Sequence, residues 1–166
     1  DLVKCVFEDM LRADLQVAIL GSGDWEFETF FYEMSKKYPD KVAFKPGFIP
    51  DLARKIYGGT DIFLMPSKSE PCGLAQMIAL RYGTIPIVRK TGGLNDTITD
   101  VSVDGGNGFV FDNYNAHEML EAVWRAVGLY ADKKAWKALR DNALKIDNGW
   151  NISAGSYIKL YKELLS

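Results

Sequence analysis

The segment 66–80, PSKSEPCGLAQMIAL, holds the residues best placed to do chemistry. An apolar run ends at Met65, a polar loop follows, and helical spacing begins near Gly73. Backbone N–H groups at a helix start are unpaired and sit at the positive end of the dipole, so they suit a phosphate or a sugar hydroxyl. Gly73 permits close approach to the backbone. Glu70 sits just ahead of this helix, where a carboxylate can accept hydrogen bonds from hydroxyl donors. On residue types alone, the more ordinary reading is a helix N-terminus whose acidic neighbour is favoured by the dipole. A second segment, 89–96 (RKTGGLND), has similar logic. Gly92-Gly93 is expected to expose backbone amides, a helix starts near Leu94, and Arg89 and Lys90 add charge beside an anion-binding crevice. Those two cations are also readable as a solvated pair at a strand end.

Other segments carry weaker signals. Gly21-Ser22-Gly23-Asp24 follows an apolar run, but Glu26 stands where the dinucleotide fingerprint needs its third glycine. That argues against a dinucleotide-dependent oxidoreductase and leaves a turn with a helix N-cap at Asp24. Gly47-Phe48 follows another apolar run; an exposed Phe48 would stack on a nucleobase, although such an aromatic is more often a core residue. His117 is the only histidine, so no Ser-His-Asp or Cys-His arrangement is available, and Cys72 has no base near it in sequence. Cys5 and Cys72 form neither a disulfide framework nor a zinc set, and no metal ligand is expected. Two free thiols fit a reducing compartment.

These loops need strands and helices to position them. Apolar runs at 15–20, 42–45, 61–65, 85–88 and 108–111 alternate with helical spacing at 2–11, 27–38, 50–57, 74–82 and 93–99. Gly58-Gly59 is expected to stop the third helix. Three further helical stripes follow: Met119, Leu120, Val123, Trp124 and Val127; Trp136, Leu139, Ala143 and Ile146; and Ala154, Ile158, Tyr161 and Leu165. All are expected to be core packing. The alternation predicts an α/β fold, a doubly wound parallel sheet covered on both faces, with ligands outside the carboxyl ends of its strands. Residues 102–107 (SVDGGN) read as the least ordered loop.

The chain of 166 residues is the size of one domain, and at 48% hydrophobic and 25% charged it can bury a sizeable core. A net charge of −2 gives no support to bulk attraction to nucleic acid or anionic lipid. No apolar run approaches the ~18–20 residues that span a bilayer. The first residue is Asp1, and the absence of an initiator Met suggests a fragment.

The string PSKSEPCGLAQMIALRYGTIPIVRKTGGLNDT closely resembles the donor-site signature of bacterial glycogen synthases and plant starch synthases. LGSGD at 20–24, RKIYGGTDIFLMPS at 54–67 and DNGWNISAGSY at 147–157 extend the resemblance over essentially the whole chain. It implies a Rossmann-like second domain, residues 1–166, of a two-domain GT-B glycosyltransferase whose acceptor domain is absent. The implied activity is transfer of glucose from ADP-glucose (UDP-glucose in some members) to the non-reducing end of an α-1,4-glucan with retained anomeric configuration, without a cofactor. The implied setting is bacterial cytoplasm or plastid stroma, with neither nucleic acid nor membrane as a partner. By the same resemblance, Glu70 binds hydroxyls of the donor glucose and the backbone amides of Cys72 and Gly73 face it. Leu74 and Phe48 flank the nucleobase, and Thr91, Gly92 and Gly93 lie by the phosphates. Many related retaining enzymes carry a second Glu eight residues after the first. Ile78 stands there, which favours the glycogen synthase branch over sucrose-synthase-like enzymes.

Asp1-Leu2-Val3 resembles the residues just after the family's Lys-Gly motif, so the Arg and Lys that neutralise the diphosphate, and the strand bearing them, are expected upstream. In a sheet of order 3-2-1-4-5-6 that strand would be central, and the 166 residues alone are expected to be inactive. A sucrose or trehalose-phosphate enzyme of the same architecture, or a nucleotide-binding module without catalysis, stays open as an alternative.

Overall fold

A computed structural model describes residues 1–165. Helices and strands alternate: α1 (Leu2–Met10), β1 (Val17–Gly21), α2 (Trp25–Lys37), β2 (Val42–Pro46), α3 (Pro50–Gly59), β3 (Ile62–Met65), α4 (Ala75–Tyr82), β4 (Ile85–Arg89), α5 (Gly92–Thr97) and β5 (Phe109–Phe111). Three helices follow, α6 (Ala116–Ala131), α7 (Lys133–Lys145) and α8 (Trp150–Leu164). Every strand pair is parallel, as the alternating pattern requires.

The strands form two sheets, not one: β1 pairs with β2, and β3, β4 and β5 pair in that order. Val17 lies opposite Val42 in the first, while Ile62 lies opposite Ile85 and Ile87 opposite Phe109 in the second. A 3-2-1-4-5-6 sheet with its first strand left out splits in this way, into β2-β1 and β3-β4-β5.

The central strand β4 is buried from Ile85 to Val88, because helices cover both its faces. Its core gathers Leu80, Ile85, Ile87, Val88, Leu94, Phe109 and Met119 with Trp136, Leu139 and Ala143. A smaller cluster of Phe7, Leu11 and Val42 is lined by Phe30, Phe31, Met34 and Tyr38, with Phe7 edge-on to Phe30 at 5.7 Å and to Phe31 at 5.6 Å. Helix α1 serves both: Leu2, Val6 and Met10 face the first cluster, Phe7 and Leu11 the second. Each fully buried side chain of this size contributes about 1.5–3 kcal/mol, so α1 is an energetic link between the sheets.

Three expectations need correction. Gly58-Gly59 does not stop α3; both lie in its last turn. The stop is Thr60, which turns extended (φ −106°, ψ 151°) while its N–H and hydroxyl both donate to the Ile56 carbonyl. The stripe Ala154, Ile158, Tyr161 and Leu165 is not core, because α8 has no buried residue and Tyr161 is 57% exposed. Trp124 also faces outward, unlike its neighbours Leu120 and Val123. The 102–107 loop is pinned at its end by buried Asn107, whose side chain donates to the Thr97 carbonyl at 3.0 Å and accepts from the Thr99 N–H at 2.7 Å.

Candidate functional site

The loop between β3 and α4 is gripped at both ends. Arg89, the last residue of β4, donates from Nε to the Ser67 carbonyl at 3.0 Å and from Nη2 to the Lys68 carbonyl at 2.5 Å. At the other end, Gln76 donates from Nε2 to the carbonyls of Gly73 (2.9 Å) and Cys72 (3.2 Å). The same nitrogen lies 3.2 Å from the Thr97 hydroxyl, which itself donates to the Gly93 carbonyl at 2.6 Å.

The loop also touches the start of α5 backbone to backbone. The Gly93 N–H donates to the Glu70 carbonyl at 3.0 Å. A methyl group on Gly93 would run into the Cys72 carbonyl oxygen and reach its carbonyl carbon at 2.5 Å. One on Gly92 would meet the Glu70 carbonyl oxygen, and Gly92 has a positive φ of 42°. Glycine is needed at both positions because no side chain fits between the loops. The sequence expectation that Gly92-Gly93 exposes its amides therefore fails at Gly93: that amide is buried and already bonded.

Among the expected site residues, Glu70, Cys72, Gly73, Gly92 and Gly93 are brought together by these contacts. The Glu70 side chain is half-buried, and its carboxylate has no hydrogen-bond or ion-pair partner among the described residues. The N–H groups of Cys72 and Gly73 likewise donate to no acceptor among the described residues. Leu74 is the N-cap residue of α4 and is 66% exposed. Thr91 caps α5 in an extended conformation without a side-chain capping bond.

Phe48 lies at the carboxyl end of β2, on the other sheet, where the Gly47 N–H donates to the Gly21 carbonyl at 3.2 Å. It is 92% exposed, so the ordinary reading of such an aromatic as core does not hold. The Gly21–Asp24 turn is spent on its own helix: the Gly23 N–H donates to the Glu28 carboxylate at 2.9 Å, and the Asp24 side chain makes no capping bond. Arg89 is a loop clasp rather than an open charge, and Lys90 lies 3.8 Å from Asp112. His117 is exposed at the start of α6.

Gln76 is the positioning group that sequence reasoning missed, and Arg89, read there as a charge for an anion, is instead a clasp on the loop. The available signal for Gln76 was a polar residue on the same helical face as Ala79 and Leu80, where burial demands partners. Chemically the loop offers an acceptor carboxylate and two unpaired amides just ahead of a helix, and the neighbouring sheet carries an exposed aromatic at its own carboxyl end. That set suits a ligand with hydroxyls, oxyanions and a flat ring. No group of three His, Cys, Asp or Glu among the described residues is placed to hold a metal, and no helix is long and apolar enough to cross a membrane.

The chain is 52% identical to glycogen synthase of Geobacillus thermodenitrificans over 99% of its length, covering 34% of that protein. It is 53% identical to glycogen synthase of Bacillus anthracis, again over 99% of its length and 35% of the relative. Among solved structures, the catalytic domain of starch synthase IV from Arabidopsis thaliana, bound to ADP and acarbose, superposes with a TM-score of 0.87 at 34% identity. That match covers 98% of this chain and 35% of the other. A sucrose-phosphate synthase from Thermosynechococcus elongatus shares the fold with a TM-score of 0.67 at 21% identity. The chain thus spans about a third of the length of the curated relatives it matches. The sequence profile described as "Glycosyl transferases group 1" matches residues 1–145, and the chain belongs to this family of glycosyltransferases.

Proposed function

We propose that the chain is the donor-binding domain of a retaining glucosyltransferase that moves glucose from ADP-glucose, or UDP-glucose, to the non-reducing end of an α-1,4-glucan. The observation that carries the reading is the fusion of the Glu70–Gly73 loop with the Gly92-Gly93 turn, which leaves one carboxylate and two amides unpaired at a helix start. The high identity to glycogen synthases supports the same reading.

In this proposal the Glu70 carboxylate accepts hydrogen bonds from hydroxyls of the donor glucose, and the amides of Cys72 and Gly73 donate to it. Phe48 and Leu74, both exposed, flank the base. Thr91, Gly92 and Gly93 lie by the phosphates and contribute shape more than donors, since the Gly93 amide is occupied. Glucosyl transfer proceeds with front-face departure of the nucleoside diphosphate through an oxocarbenium-like transition state. Fixed dipoles aimed at the developing charge lower such a barrier. The activity belongs to the full-length protein, in a bacterial cytoplasm or plastid stroma, with neither nucleic acid nor membrane as a partner.

The test is Glu70→Gln in the full-length protein. Loss of one fixed acceptor on the reacting sugar is expected to lower kcat by about a hundredfold or more; near-normal kcat would refute the role. Calorimetry with ADP and ADP-glucose separates an enzyme from a nucleotide-binding module, because the module gains nothing from the glucose. UDP-glucose and sucrose-forming acceptors, run in the same assay, decide the donor and the branch.

A further inference from the structure

Gln76 has an unusual balance of partners. Its residue is fully buried, its Nε2 reaches three oxygens, and its Oε1 reaches none. A buried polar atom left without a partner is a cost to the fold, and each such atom in a native structure calls for a reason. An apolar side chain of the same shape would remove that cost. The exchange would take one donor from the carbonyls of Cys72, an exposed residue, and Gly73, a half-buried one. Thr97 would keep its bond to the Gly93 carbonyl. The unpartnered Oε1 means that packing alone does not account for an amide at this position.

The donor-site loops do have a use for it. Nε2 is bonded to the carbonyls of Cys72 and Gly73, and the first of these shares its peptide plane with the unpaired Gly73 N–H. Through Thr97 the same nitrogen reaches the carbonyl of Gly93, whose N–H holds Glu70. Fixing a carbonyl fixes the plane of the peptide that follows it. The Gly73 φ of +75° packs its α-carbon against the amide, and a methyl there would lie 2.5 Å from Oε1. Loop, amide and α5 are thus locked as one unit.

We infer that Gln76 is a positioning residue for sugar transfer: it is kept at a cost to stability because its amide sets the direction of the Gly73 N–H group and the place of Glu70. The inference rests on the donor-site reading above. It goes further by assigning the orientation of the reacting sugar to a side chain that never touches it. The base-stacking part of the site, Phe48 on the other sheet, lies outside this lock.

The experiment compares Gln76→Met and Gln76→Glu with wild type in the full-length protein. Melting temperature, calorimetric affinity for ADP, and kcat against pH are measured. For Gln76→Met the expected result is an unchanged or higher melting temperature, ADP affinity within about twofold, and kcat lower by about tenfold to a hundredfold, since small misplacements of positioning groups cost that much. For Gln76→Glu, kcat should recover as the pH falls. The protonated carboxyl donates where the amide donated, and burial raises the pH at which it takes up its proton. A Gln76→Met enzyme with kcat within about twofold of wild type, or one that loses kcat only together with its melting temperature, overturns the inference. If Gln76→Met does not fold, a Gln76→Glu deficit that ignores pH overturns it. A wild-type enzyme that transfers no glucose overturns the donor-site reading itself, which distinguishes the two failures.

Discussion

Replacing Gly93 by alanine adds one methyl group at the tightest backbone contact of the candidate site. The added carbon would overlap the Cys72 carbonyl oxygen and lie 2.5 Å from its carbonyl carbon and 2.6 Å from its α-carbon. Ordinary contact begins near 3.4 Å, so the 70–73 loop must retreat by more than ~0.9 Å, because the carbonyl oxygen lies closer still than the carbonyl carbon. The obstacle is backbone on both sides, and no rotamer change relieves it. Forced overpacking of this kind costs about 1–3 kcal/mol, and stretching the Gly93 N–H bond to the Glu70 carbonyl costs about 1 kcal/mol more. At about 2–4 °C per kcal/mol for a domain of this size unfolding as a unit, the melting temperature of that transition should fall by roughly 4–16 °C. The effect on chemistry should be larger, because a shift near 1 Å of the groups that orient a reacting sugar costs about a hundredfold in rate. Thermal unfolding and glucosyl transfer by the full-length Gly93→Ala enzyme, measured well below its melting temperature, provide the assay. A kcat near wild type would refute the argument, since it would mean that the contact between the loops does not fix the reacting geometry.

Three further outcomes follow from single features. Gly128→Ala in α6 meets nothing within 4 Å, so it should raise stability by about 0.5–1 kcal/mol, read from denaturant unfolding. Phe48→Ala should leave the melting temperature unchanged, because the ring is 92% exposed, yet weaken ADP binding by about tenfold in calorimetry if the ring stacks on the base. For Asp100, burial pushes the carboxyl up, but hydrogen bonds from Arg125 and from the N–H groups of Ser102 and Val110 outweigh it and hold the group down from 3.8 to about 2. Its folded value lies below its unfolded one, so its stabilisation is complete above 3.8 and is lost as the pH falls through about 2. Asp100→Asn should flatten the acid limb of a stability–pH curve in that window, and an unchanged limb would remove Asp100 from the account.

The loops were legible because their grammar is local. A strand end, a polar stretch and a helix start are written in consecutive residues, so Glu70, Gly73 and Gly93 could be placed from the sequence. What those residues touch was not legible. The Gly93 amide reads as open in sequence, and only the approach of the Glu70 carbonyl shows that it is occupied. Gln76 went unnoticed because one polar residue in an apolar helix carries no mark of what it grips. Periodicity also reports an apolar face without reporting a cover. The stripes of α6 and α7 find the second sheet, whereas the stripe of α8 meets nothing that buries it among the described residues. Phe48 erred in the other direction, because composition favours burial for an aromatic and the turn at Gly47 carries it outward.

The split of the sheet bears on how the molecule behaves in a test tube. β1 (VAILG) and β3 (IFLM) are free of charge and proline, and each has one edge with no strand beside it among the described residues. Bare edges of this composition are templates for strand addition, and natural proteins usually blunt them with lysine, proline or a bulge. Neither strand carries such a device. Self-association of these 166 residues expressed alone is therefore expected to begin at such uncharged edges. Charge engineered at the surface would leave those rows untouched.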